Sequence, residues 1–184
     1  MIGEDGNIKP GEVSEDAIIE ALIKAGTYDI ENAIGLEIDY ANSAFKRTQE
    51  AGGKTKGADF DAYVMYSGRM RCNVSDNGEI TAFYGDSNYK DDGSNGQVMI
   101  YQPKFYYQRT PIKTETTSFG KAIRKEALII STKKQTGFKC HPIFMDGDTE
   151  LDYVLLPAYE ASVDENNKLS SVAGVKPISY ISID

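Results

Sequence analysis

The stretch Cys72-Asn73-Val74-Ser75-Asp76-Asn77-Gly78-Glu79-Ile80-Thr81-Ala82-Phe83-Tyr84 decides the fold class. Two short runs containing β-branched and aromatic residues flank a polar pentad, and Asn77-Gly78 supplies the positive φ angles of a tight hairpin turn. An antiparallel hairpin is predicted here. The same period of two extends outward. Upstream, Leu36, Ile38 and Tyr40 alternate with Glu37 and Asp39, Ala41-Asn42-Ser43 offers a turn, and Phe45 with Arg47 begins a return run. Downstream, Gln97–Gln108 is β-branched and aromatic, with Pro103 expected to break the ladder at a bulge or a sheet edge. Further strands are predicted over Ala122–Ser131, Phe138–Phe144 and Asp152–Leu156, with the acidic turn Asp146-Gly147-Asp148 between the last two. The run Ile178–Ile183 alternates like one more strand.

Helical spacing shows at one place. Ser14 suits a helix N-cap, Glu15 and Asp16 suit its first turn, and Ile18, Ala21, Leu22 and Ala25 recur before Gly26, with Ile19 and Ile23 widening the apolar stripe. Residues Met1–Val13 are polar and Gly-rich and read as a loose arm. The fold class is therefore α+β and mainly β: an arm and amphipathic helix over 1–28, then a mainly antiparallel β domain over 29–184.

Composition removes several function classes. Lys+Arg 20 against Asp+Glu 28 leaves a net charge of −8, which repels phosphate backbones, so no nucleic-acid partner is expected. One His and no Trp exclude His-rich zinc sites and any mechanism needing two imidazoles. Cys72 and Cys140 lack C-x-x-C spacing and read as buried thiols. Cys140 adjoins His141, but neighbours on a strand face opposite ways; Cys72 with His141 is geometrically open, yet spacing indicates no third group to orient them. The opening residues have neither the basic nor the apolar region of a secretory signal, and no apolar run approaches bilayer length, so cytoplasmic synthesis without membrane insertion is expected.

Two loops stand out. Gly85–Gly96 has almost nothing to bury, while Tyr84, Tyr89, Tyr101, Tyr106 and Tyr107, five of the 12 tyrosines, surround it. Tyrosine presents a rigid apolar face and a hydroxyl, which suits recognition of sugars or proteins at low ordering cost, although packing is an equal reading for Tyr84 and Tyr89. The candidate ligand-binding residues are Tyr84, Asp86, Tyr89, Asp91, Asp92 and Asn95, with Asp146–Glu150 as a second contact loop. Lys90 interrupts the D-x-D-x-D pattern of a calcium loop, and Asp146–Glu150 is too short to close a shell alone. Gly52-Gly53-Lys54-Thr55-Lys56-Gly57 lacks the spacing of a phosphate loop. No metal, nucleotide or other cofactor is expected.

The ordered blocks RCNVSDNGEITAFYGDSNY, DDGSNGQVMIYQPKFYY, GFKCHPIF, DYVLLPAYEAS and LSSVAGVKPIS resemble tail-associated proteins of phages and prophages of Gram-positive bacteria, over Glu31–Ile178. The last blocks are also similar to the opening part of the C-type-lectin and formylglycine-generating-enzyme fold, in which a strand ending in Tyr-Glu, here Tyr159-Glu160, precedes a Pro-containing loop. The resemblance implies a partial C-type-lectin-like domain in a virion tail, assembled in the host cytoplasm. Its implied role is a non-enzymatic receptor-binding or tail-fibre module. The implied partners are other phage tail proteins, a host surface glycan or protein, and further copies of the chain in a trimer. Members of the family continue beyond the Lys176-Pro177 block, and the cysteine and metal groups of formylglycine-generating catalysis are not recognisable, so that activity is not carried over. The alternative reading is a structural connector that binds only other tail proteins.

Overall fold

The alternating run beginning at Ala33 forms a strand in the computed structural model, which describes residues 32–179. In chain order the elements are β1 (Ala33–Asp39), β2 (Ala44–Gln49), a single helical turn α1 (Val64–Ser67), β3 (Met70–Val74), β4 (Ile80–Phe83) and β5 (Gln97–Pro103). Then follow β6 (Tyr106–Thr117), β7 (Gly120–Ser131), β8 (Lys139–Cys140), β9 (Met145–Asp146), β10 (Thr149–Glu150), β11 (Tyr153–Pro157), β12 (Ser162–Val163) and β13 (Leu169–Ser170). Every strand pairing is antiparallel, and the described residues form a mainly β protein with very little helix. The helix expected over Ser14–Gly26, with the arm before it, lies outside the described residues, as do Tyr180–Ile183 of the final alternating run.

The stretch read as one β domain over 29–184 is organised, where described, as two compact units. Unit 1 comprises residues 32–55 and 105–140; unit 2 comprises 56–104 and 141–179. In unit 1 the sheet order is β2-β1-β7-β6-β8. Ala33, Tyr106, Ile129 and Phe138 are buried together, with Cys140 packed against them. The expected hairpin between β1 and β2 forms with Ile38 opposite Phe45, and the Asp39 carboxylate accepts from the Ala41 and Asn42 amides at 3.1 and 3.0 Å to shape the turn.

Unit 2 contains a four-stranded sheet of order β11-β5-β3-β4, beside the small β9–β10 and β12–β13 ribbons. Cys72, Val74, Ala82, Val98 and Phe144 are among its buried apolar residues. The hairpin read from Cys72–Tyr84 is present, but its turn differs from the expected pair of positive φ angles. Only Gly78 is left-handed, at φ 83°, and the loop closes over five residues, with Ser75 N–H donating to Glu79 O at 2.9 Å and Gly78 N–H to Ser75 O at 2.9 Å. A wider turn capped by one left-handed glycine removes the need for Asn77 to be strained.

Two other expectations are corrected. Pro103 neither bulges nor sits on an edge strand: it is the last residue of β5, which lies between β3 and β11, and it stands opposite Tyr153. The chain bonds on past it through Lys104 N–H to Asp152 O at 2.9 Å, so its missing amide is accommodated at the strand's end. Of Phe138–Phe144 only Lys139–Cys140 pairs, because Pro142 opens a 3-10 turn over Pro142–Phe144 in which the His141 ring accepts from the Ile143 amide at 3.3 Å. The strand expected over Ala122–Ser131 is present and longer, and its partner β6 continues through Pro111 with a register irregularity between Pro111 and Lys113.

Candidate functional site

The candidate site lies wholly within unit 2 and is built outward from Asn73. This residue sits mid-strand in β3 between the buried Cys72 and Val74, is itself fully buried, and must find partners for its amide. It finds them on the loop between β4 and β5: Nδ2 donates to Lys90 O at 2.7 Å and Oδ1 accepts from Lys90 N–H at 2.8 Å. Asn95 Nδ2 reaches Asn88 O at 2.9 Å, and Thr81 Oγ1 donates to Asn95 O at 3.1 Å. The polar loop over Gly85–Gly96, whose one aromatic residue is Tyr89, is thus held largely by hydrogen bonds.

At one edge of this loop a group of aromatic and charged side chains meets. The Tyr84 ring is 66% exposed and stands edge-to-face on Tyr89, with centroids 5.4 Å apart. The Tyr89 hydroxyl donates to Asp91 Oδ1 at 2.6 Å, and burial together with that carboxylate pushes its pKa up to about 12, so it stays a donor. Tyr159 donates to the same oxygen at 3.3 Å. Arg71 approaches Asp91 at 3.6 Å, donates to the Tyr159 hydroxyl at 3.3 Å and lies over the Tyr159 ring at 5.7 Å. Arg69, Met70, Arg71 and Tyr84 line an open cleft of about 320 Å³. The Arg69 side chain has no hydrogen bond or ion pair with another described residue.

The structure therefore brings Tyr84, Tyr89 and Asp91 together and separates them in role from the other candidates. Asp86 accepts from the Phe83 amide at 2.8 Å and Asp92 from the Ser94 amide at 2.9 Å, so both carboxylates shape the backbone. Asp92 lines a different hollow from the one beside Tyr84. Asn95 is engaged within the loop. Asp146–Glu150 forms the small β9–β10 hairpin.

Sequence reasoning missed Arg71, Asn73 and Tyr159 as parts of the site. Asn73 carried a readable signal, an amide inside an otherwise apolar strand run, whereas the Arg71 to Tyr159 pairing joins residues 88 apart and left none.

Neither cysteine is among the residues that line this cleft. Cys72 is fully buried, its thiol 3.7 Å from Met99 O and its pKa raised by burial. No cluster of three or more His, Cys, Asp or Glu side chains among the described residues is arranged to hold a metal ion. No helix among the described residues is long and apolar enough to cross a membrane. Comparison with protein-family models, with curated proteins and with solved structures finds no significant match for the chain.

Proposed function

We propose that the chain is a non-enzymatic tail component of a phage or prophage of a Gram-positive bacterium, a receptor-binding or tail-fibre module whose Arg69–Tyr84 cleft takes an acidic saccharide of the host surface. One observation carries the binding role: a tyrosine ring 66% exposed is nevertheless held in place by Tyr89, beside two arginines lining one cleft. A sugar ring stacks on such a face without first having to order it. Guanidinium groups bind carboxylate or phosphate through paired, charge-assisted hydrogen bonds, and Arg71 is already aimed by Asp91 and Tyr159.

The tail assignment and the partial C-type-lectin-like reading are supported by the ordered blocks between Arg71 and Ser179, although the strand read as ending in Tyr159-Glu160 ends at Pro157. A protonated, buried Cys72 thiol is a poor nucleophile, which argues against cysteine-dependent chemistry at that residue. In this reading the chain sits in the virion tail with other tail proteins and further copies of itself. The test is a glycan array and a host-cell binding assay with the wild type, Tyr84→Ala and Arg69→Ala. Binding to acidic glycans that falls at least about tenfold in both variants, with unchanged melting temperatures, supports recognition. Silence of the wild type across glycans and host cells favours the structural connector.

A further inference from the structure

The β6–β7 hairpin outgrows its sheet. β1 covers β7 only as far as the Asp39 to Lys125 pair, so the ladder from Thr114 with Ile123 to Thr117 with Gly120 continues as a two-stranded arm. At its apex Phe119 is fully exposed. A fully exposed ring at the tip of an arm is free to enter an apolar hollow on another surface, where its burial is favourable. The tip is also preorganised: Phe119 N–H donates to Thr117 Oγ1 at 3.2 Å, the same hydroxyl donates to Gly120 O at 2.8 Å, and Gly120 takes φ 113° to close the turn. Lower on the arm, Arg124 and Glu115 brace the two strands at 2.7 Å.

The arm is basic within an acidic chain. Lys113, Lys121 and Arg124 face only one carboxylate, Glu115, while the chain as a whole carries −8. Lys113 and Lys121 have no hydrogen-bonding or ionic side-chain partner among the described residues. In unit 2 a hollow of about 420 Å³ has the complementary character: Val163, Val172 and Val175 supply apolar surface, and Asp92, Asp164 and Glu165 supply negative charge. Val175 is half exposed, and Asp164 is fixed by accepting from the Asn166 and Lys168 amides at 2.9 and 2.8 Å.

We propose that the β6–β7 hairpin is a docking arm whose Phe119 seats in the Val163–Val172–Val175 hollow of a second copy of the chain, with Lys121 against the acidic rim. The occupant is a second copy because apolar knob with basic collar and apolar hole with acidic rim are both encoded here and complement each other in charge and polarity. Knob and hole are different surfaces, so the contact is heterologous and repeats head to tail. This inference stands apart from the saccharide cleft, whose residues it does not use.

The test is sedimentation equilibrium of the full chain with Phe119→Ala, Lys121→Glu, Glu165→Lys and the last two combined. The wild type is expected to self-associate at micromolar concentration. Phe119→Ala is expected to raise the dissociation constant at least about tenfold while melting as the wild type does, because the ring touches nothing in its own fold. Each charge reversal weakens assembly, and the combination restores it. A photoreactive phenylalanine analogue at position 119, in a mixture of light and heavy isotope-labelled chains, is expected to cross-link to 162–175 across the isotopes. A monomeric wild type, an unchanged constant in Phe119→Ala, failure of the combined charge swap to restore assembly, or cross-links only within one isotope would overturn the proposal.

Discussion

Each unit buries polar side chains within its strands, and two of them, Glu126 in unit 1 and Asn73 in unit 2, are satisfied by opposite means. Glu126 of β7, 2% exposed, is gripped by Arg109 from β6 through Nη2 at 2.6 Å and Nε at 3.2 Å, and by the Tyr40 hydroxyl beyond the end of β1. Asn73 of β3 is satisfied by both backbone groups of Lys90. The first is an ionic tie among neighbouring strands of one sheet. The second is a neutral tie between a sheet and a loop. An ionic tie depends on pH and rigidifies the sheet, whereas an amide tie does not titrate and transmits sheet order to a loop that cannot order itself by burial.

The sharpest way to break the unit 2 side is at the loop's end. Gly96 has φ 100°, and an added Cβ would lie 2.4 Å from Val74 O, a backbone atom that cannot turn away. Gly96→Ala is expected to destabilise unit 2 by about 3 kcal/mol, read by chemical denaturation, and to abolish saccharide binding; retention of both would show the loop yields freely. Next comes Asn73→Ala, expected to cost about 2 kcal/mol and to speed amide exchange across 86–95 while leaving the amides of β6 and β7 unchanged. Equal acceleration in both units would mean that Asn73 stabilises far more than its own loop.

Glu126→Gln tests the other side, with an expected loss of about 1–2 kcal/mol near neutral pH, since Arg109 is half exposed and turns to water when its partner is lost. Its pH signature separates the units. Arg109 holds the Glu126 carboxyl below its ordinary value of 4.5, with Tyr40 assisting and burial opposing. A folded pKa depressed in this way gives stability that is complete above the unfolded value and lost as pH falls through the folded one. The wild type is therefore expected to lose stability in unit 1 below about pH 4, and Glu126→Gln to lose less over that range. Identical slopes for the two proteins would remove the ionic tie from the account. The smallest stability effect belongs to Tyr84→Ala, within about 0.5 kcal/mol, because an exposed ring contributes little to folding whatever it does in binding.

Much of the sheet content was legible because it rests on local alternation. The β1–β2 hairpin, the β3–β4 hairpin and the core of β7 followed from side chains two apart facing one way. The distal half of β6 was not legible, since Lys113-Thr114-Glu115-Thr116 is exposed and carries no apolar alternation. Its pairing comes from β7 across a short turn. Within the candidate site, Tyr84, Tyr89 and Asp91 were three of the six residues named from the sequence, and the structure brings these three together. The roles of Asp86, Asp92 and Asn95 in shaping backbone were not foreseen, because a carboxylate or amide in a loop sequence looks the same whether it meets a ligand or the next amide.

The sequence by itself determined that this is a mainly β chain and where several of its turns fall, because each depends on neighbours within a few residues. Of the five tyrosines read around the polar loop only Tyr84 and Tyr89 meet there, while Tyr106 is buried in unit 1 and Tyr101 packs on Phe83 and Tyr153. The division into two discontinuous units, the burial of Asn73 under Lys90, and the convergence of Arg71, Asp91 and Tyr159 were decided only by the tertiary structure. Those features join residues far apart in the chain, and no local pattern records which distant group will satisfy a buried amide or aim an arginine.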